Sequence, residues 1–112
     1  NNYHVGNYRK AIYFLYKANN DLEKLAAYKN LFSQKINLTN VYMRLDGKEE
    51  LKKGLQVLDE ISELKKRINF SYSMKKDLNG MYANLYSLLG EKYYEKSKSY
   101  YFKNIKLHKS VS

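Results

Sequence analysis

Apolar residues recur three and four positions apart along most of this chain, which is the period of an α-helix with one buried face. In one segment the periodic positions are Leu78, Met81, Leu85, Leu88 and Leu89. In the following segment they are Tyr94, Ser97, Tyr101 and Ile105. Gly90 separates the two segments, and glycine is favoured just after the end of a helix. The pattern predicts a helical hairpin in this part of the chain.

The same period predicts five helices, at about 7–18, 21–45, 48–66, 74–89 and 94–108. Asn19, Asn20 and Asp21 indicate a break after the first helix, and Asp46-Gly47 indicates a turn. Ser71 or Ser73 is a candidate N-cap for the fourth helix. Pro is absent and only 5 residues are Gly, so we expect an all-α fold with no strands.

A small residue recurs in three of these helices at a fixed interval. Ala11, Gly54 and Ser97 lie 43 residues apart, and a small residue lets two helix backbones approach closely. Asn40 and Asn84 occupy equivalent positions in the helices that precede those of Gly54 and Ser97. A fixed period of 20–50 residues is typical of stacked repeats.

These residues resemble the tetratricopeptide repeat, in which a Gly turn is followed by an aromatic, a small and a large apolar residue. The N-terminal copy matches at Gly6, Tyr8, Ala11, Leu15 and Ala18. The period is longer than the usual length of about 34, as in the C-terminal domains of Rap/Rgg/PlcR-type peptide receptors of low-GC bacteria, which the chain also resembles. The resemblance implies antiparallel hairpins stacked as a right-handed solenoid, in a cytoplasmic bacterial regulatory protein that senses peptides.

The resemblance also implies a concave groove lined by the first helix of each hairpin. The candidate peptide-binding residues carried over to it are Asn37, Asn40, Arg44, Met81, Asn84 and Ser87. An asparagine amide has both donors and an acceptor, so it can bind an extended peptide backbone, and Arg44 could meet a carboxylate. The alternative is that Asn40 and Asn84 brace neighbouring helices.

Length and the first residues bear on domain organisation. A chain of 112 residues is expected to form one domain, 1–112. It begins with Asn1 rather than Met and in the middle of a repeat, so we expect a piece of a longer protein. The longest apolar run, from Ala11 to Tyr16, is too short to span a membrane, and we expect no membrane partner.

Positive charge accumulates towards the C-terminus. The formal net charge is +10. Residues 1–64 contain 10 basic and 8 acidic residues, whereas residues 65–112 contain 11 and 3. This asymmetry is compatible with nucleic acid or an acidic partner, and also with a solvated lysine-rich surface. The 13 tyrosines could stack on bases, but the repeat pattern already accounts for most of them as packing residues.

No residue pattern indicates catalysis. His4 and His108 lie near opposite ends of the chain, and Cys is absent. The chain has no Gly-rich phosphate loop and no hydrolase or metalloprotease motif. We therefore expect neither enzymatic activity nor a metal or other cofactor.

The leading interpretation is a repeat module that binds a peptide or protein segment. The alternatives are a structural or oligomerisation segment of a helical solenoid and a basic nucleic-acid-binding domain. The repeat partner of the first helix is missing, so Tyr8, Ile12, Leu15 and Tyr16 are expected to form an exposed apolar patch. Such a patch predicts a homo-oligomer formed through the N-terminal helix.

Overall fold

The computed structural model describes residues 5–24 and 28–111, and in these ranges the protein is helical with no strands. The helices are α1 (Val5–Lys24), α2 (Tyr28–Leu45), α3 (Lys48–Glu63), α4 (Tyr72–Leu89) and α5 (Tyr94–Val111). Short 3₁₀ turns at Leu64–Lys66 and Glu91–Tyr93 follow α3 and precede α5. The prediction of an all-α fold with five helices is confirmed.

Consecutive helices pack against each other, and α2 also contacts α4. Hydrogen bonds show that α4 and α5 run antiparallel, because Ser97 bonds to Ala83 whereas the later Asn104 bonds to the earlier Lys76. This is the geometry of a helical hairpin. The right-handed solenoid implied by the tetratricopeptide resemblance stays a prediction.

The connections follow local turn chemistry. The side chain of Ser71 accepts a hydrogen bond from the backbone N–H of Met74, which confirms Ser71 as the N-cap of α4. Gly90 has a φ of 114°, a value that glycine adopts readily because it has no Cβ. In the Asp46-Gly47 turn the positive φ, 56°, falls on Asp46, and Asp is among the few other residues that visit this region.

The predicted break after the first helix is wrong. Asn19, Asn20 and Asp21 lie inside α1, which continues to Lys24. Asn19 is buried, at 3% exposure, so tertiary packing overrides its local preference for turns. Gly6, expected in a turn, lies in the first turn of α1.

The core lies where α2, α3 and α4 meet. Its most deeply buried large side chains are Leu31, Leu38, Leu58, Ile61, Leu78 and Leu85. Gly54 is buried beside them, and a Cβ built on it would lie 2.9 Å from Cδ1 of Leu85 and 3.4 Å from Cβ of Tyr42. This glycine therefore allows α3 to approach both α2 and α4.

Two of the three repeated small residues lie at helix contacts, as predicted. Besides Gly54, Ser97 of α5 is 5% exposed and its hydroxyl donates a 2.8 Å hydrogen bond to the backbone carbonyl of Ala83. Ala11 is half-buried.

The predicted apolar patch on the first helix is wrong for three of its four residues, whereas Tyr16 is exposed as predicted, at 44%. Tyr8 is buried, and Ile12 and Leu15 pack against the core. Among the α1 side chains that the structure describes, the most exposed apolar ones are Tyr13 and Phe14, at 64% and 63%. The face predicted to be open is covered because α1 packs against α2.

Candidate functional site

The predicted peptide-binding residues fall on α2 and α4, and the structure brings only some of them together. A cavity of about 420 Å³ is lined by Met81 and Asn84 of α4 and by Ile36 of α2. Its complete lining is Ile36, Lys76, Asp77, Gly80, Met81, Asn84 and Asn104. We call this the α2–α4 cavity.

The remaining predicted residues are exposed but do not line this cavity. Asn37, Asn40 and Arg44 follow one another along α2 at spacings of three and four residues, so they share a face. Ser87 is exposed one turn beyond Asn84. A ligand in the cavity would have to extend along α2 and α4 to reach all four.

The α2–α4 cavity has unfilled space at Gly80, because glycine has no side chain. At Gly80 a Cβ would meet only the amide nitrogen of Asn104, at 3.8 Å. Asn104 is held over this position by a 3.1 Å hydrogen bond from its Nδ2 to the backbone carbonyl of Lys76. Its Oδ1 is buried and has no hydrogen-bond partner among the described residues.

Asn84 contacts α5 as well as facing the cavity. Its Oδ1 accepts a 3.1 Å hydrogen bond from the hydroxyl of Tyr101. The amide nitrogen is not used by this bond and can still donate to a ligand. Asn84 therefore makes a bracing contact with α5, and its role in binding stays a prediction.

A second concave site lies on another stripe of α4, between α3 and α5. We call it the lysine groove; its volume is about 610 Å³ and its lining residues are Ser62, Lys65, Lys75, Leu78, Asn79, Tyr82, Tyr100, Lys103, Lys106 and Leu107. The positive charge of this half of the chain is evident in the sequence, but the groove is not. Tyr100, Lys103 and Leu107 are three and four residues apart, so they share one face of a helix. This mixture of basic and apolar residues could have indicated the groove.

The floor of the lysine groove is a stack of tyrosine rings. The rings of Tyr82 and Tyr100 are nearly parallel with centroids 4.5 Å apart, and Tyr86 continues the stack. Burial raises the pKa of Tyr82, Tyr86 and Tyr100 above the ordinary value of 10. These hydroxyls therefore stay protonated at neutral pH.

Hydrogen bonds fix the position of Tyr82 in this stack. Its hydroxyl donates to a carboxylate oxygen of Asp59 at 2.7 Å and lies 3.0 Å from the hydroxyl of Ser62. Both partners belong to α3, so the bonds connect α3 to α4. The aromatic stack is thus part of the packing, as the sequence analysis expected for most tyrosines.

Within the described residues no three His, Asp or Glu side chains converge as metal ligands. His4 lies outside these residues, and His108 lies at the far end of α5 beside Lys109. None of the described helices is long and apolar enough to cross a bilayer.

Comparison with known proteins gives no match to this chain among family models, curated proteins or solved structures.

Proposed function

We propose that this chain is a tetratricopeptide-like helical repeat module that binds a peptide or protein segment. Its setting would be a cytoplasmic bacterial regulatory protein that senses peptides. The observation that supports the proposal best is the α2–α4 cavity, where Ile36 and Met81 provide apolar surface beside the amide of Asn84. Peptide sites commonly combine an apolar pocket with a few polar groups that fix orientation.

In this proposal the asparagines bind the backbone of an extended peptide. Asn84 donates through its amide nitrogen while Tyr101 holds its oxygen. Asn37 and Asn40 continue the contact along α2, and Arg44 meets a carboxylate of the ligand. Met81 accommodates apolar side chains of different shape because its thioether is flexible.

The test is a peptide-library selection against the chain, followed by calorimetry on the selected peptides. Asn40→Ala and Asn84→Ala should each weaken binding by about 1 kcal/mol, the usual contribution of a hydrogen bond. Asn69→Ala, at an exposed asparagine between α3 and α4, is the matched control and should have no effect. If the Asn40 and Asn84 variants lose stability but bind like the wild type, both asparagines only brace the helices.

Self-association is a second candidate, favoured by the exposure of Tyr13 and Phe14 on α1. Their rings form an edge-to-face pair with centroids 5.5 Å apart, and a second copy could cover them through a two-fold interface. Sedimentation at several concentrations should show a dimer that Phe14→Lys abolishes. Asn20→Lys adds the same charge at an exposed position of α1 and should leave the dimer intact. A monomer at all concentrations would contradict this candidate.

Nucleic-acid binding remains the alternative suggested by the net charge of +10. It predicts an affinity that falls steeply with salt, whereas the peptide complex should depend on salt weakly.

A further inference from the structure

The lysine groove is separate from the α2–α4 cavity although both involve α4. On α4 the groove uses Lys75, Leu78, Asn79 and Tyr82. The cavity uses Lys76, Asp77, Gly80, Met81 and Asn84. The two sets share no residue and occupy different stripes of the helix. A ligand of the groove can therefore be tested without disturbing the cavity.

Four lysines border the groove, one from α4, two from α5 and one from the turn after α3. Lys65, Lys75, Lys103 and Lys106 are all exposed. No carboxylate of a described residue lies within 4.0 Å of their amino groups, since the ion pairs observed involve other lysines. The rim therefore has about four positive charges that no ion pair with another described residue neutralises.

The surface between these lysines is mostly apolar. Its accessible part comes from the half-buried Tyr100 and Leu107, whereas Leu78 and Tyr82 are almost fully buried, at 1% and 4% exposure. One face of Tyr100 stacks on Tyr82, and Nζ of Lys103 lies 4.2 Å from the centroid of the Tyr100 ring. Because Tyr82 and Lys103 already occupy this ring, stacking of a nucleic-acid base on it is disfavoured.

The combination of a basic rim and an apolar floor determines the kind of ligand. A polyphosphate backbone would pair with the lysines but leave the half-exposed side chain of Leu107 uncovered. An amphipathic protein segment with acidic residues on its flanks matches both parts. Residues 75–82 of α4 extend over about 10 Å at 1.5 Å per residue, which corresponds to two turns of a docked helix.

We propose that the lysine groove binds an acidic amphipathic helix of a partner protein. Apolar side chains of the partner pack on Leu107 and on the accessible edge of the Tyr100 ring. Carboxylates on either side of that apolar stripe pair with the lysines of α4 and α5. This site is independent of the peptide proposed for the α2–α4 cavity.

The experiment uses the full chain and a fluorescein-labelled helical peptide of about 14 residues built from Glu-Glu-Leu-Leu units. Fluorescence anisotropy should show saturable binding. Lys103→Glu combined with Lys106→Glu should weaken it by at least about tenfold, because attractive pairs become repulsive. The matched control, Lys10→Glu with Lys48→Glu, makes the same change in net charge at exposed positions outside the groove and should change affinity less than about twofold.

Two further probes separate the apolar and the charged contributions. Leu107→Ser should weaken the peptide several-fold but leave the binding of oligo-dT unchanged. A peptide with Gln in place of Glu should not bind. Circular dichroism of each variant at the measuring temperature confirms that it is folded.

Three outcomes would overturn the proposal. The first is equal loss of affinity in the groove pair and the control pair, which would mean that only net charge matters. The second is binding of oligo-dT that is tighter than that of the peptide and sensitive to the groove pair, which would assign the groove to nucleic acid. The third is the absence of saturable peptide binding to the folded wild type.

Discussion

The hydroxyl of Tyr101 donates a hydrogen bond to Oδ1 of Asn84, with 3.1 Å between the two oxygens. This bond joins α5 to α4 at the edge of the α2–α4 cavity. The bond holds the oxygen of the Asn84 amide towards α5, so the amide nitrogen stays available to a ligand. A tyrosine that belongs to the repeat pattern thus orients a residue of the candidate site.

Tyr101→Phe tests this relationship. Loss of the hydroxyl should lower the free energy of unfolding by less than about 1 kcal/mol, because the bond is exposed. It should nevertheless weaken any peptide bound in the α2–α4 cavity, since the Asn84 amide can then rotate. Calorimetry with Tyr94→Phe as the control, at another exposed tyrosine of α5, measures the difference. Equal affinity of the two variants would show that the orientation of Asn84 does not matter.

Ser97 and Lys98 are adjacent, yet substitution by leucine should affect them very differently. Ser97→Leu places a large side chain where α5 meets the backbone of Ala83, and overpacking of this kind costs about 1–3 kcal/mol. Lys98 is exposed, so Lys98→Leu should cost less than about 0.5 kcal/mol. Urea denaturation provides both values, and equal losses would contradict the close contact at Ser97.

Alanine should have opposite effects at two glycines inside helices. At Gly80 the added methyl group has free space, so Gly80→Ala should raise the free energy of unfolding by about 0.5–1 kcal/mol. At Gly54 the methyl group would lie 2.9 Å from the buried side chain of Leu85. The resulting overpacking should cost about 1–3 kcal/mol, which exceeds the stability gained by replacing a helical glycine with alanine. Thermal unfolding of the two variants checks the signs, and a more stable Gly54→Ala would mean that Leu85 can move aside.

Tyr82 should make stability decrease at alkaline pH. Burial raises its pKa in the folded state, whereas the unfolded chain releases this proton near pH 10. The contribution of Tyr82 is therefore fully present below about pH 10 and is lost as the pH rises further, at up to about 1.4 kcal/mol per pH unit. Urea unfolding between about pH 8 and pH 11 should show this decrease.

Tyr82→Phe is the control for the alkaline effect, because it removes the titrating hydroxyl and keeps the ring in the stack. Its stability should be lower than that of the wild type at pH 8 and should fall less steeply above pH 10. An identical slope for the two proteins would assign the alkaline loss to other tyrosines, such as Tyr42, whose pKa is also raised by burial.

Helical periodicity predicted the five helices. The buried face predicted for α5 is wrong, however, because Tyr94, Tyr101 and Ile105 are exposed and only Ser97 of that stripe is buried. The N-cap at Ser71 also followed from local chemistry. The end of α1 could not be predicted in this way. Asn19 favours turns locally, but it is buried by tertiary contacts that a sequence pattern does not reveal. The open face of α1 was misplaced for the same reason, since α2 covers Ile12 and Leu15.

The candidate site was predictable only in part. Equivalence within the repeats relates Asn84 to Asn40, whereas the structure brings Asn84 and Met81 of α4 together with Ile36 of α2 and Asn104 of α5. The lysine groove was missed because its ten lining residues come from four separate elements. Charge counted along the chain shows an excess, but only the fold determines which lysines lie around one depression.

The order in which the helices pack has a consequence for how the molecule opens. The main contacts of α1 are with α2 and those of α5 are with α4, whereas α2, α3 and α4 contact one another. The outer helices can therefore detach singly while the central three stay packed against one another. Amide hydrogens should accordingly exchange first in α1 and α5 and last around Leu58 and Leu85. Because the lysine groove and the α2–α4 cavity both include residues of α5, a transient departure of that helix would dismantle both sites while most of the core stayed folded.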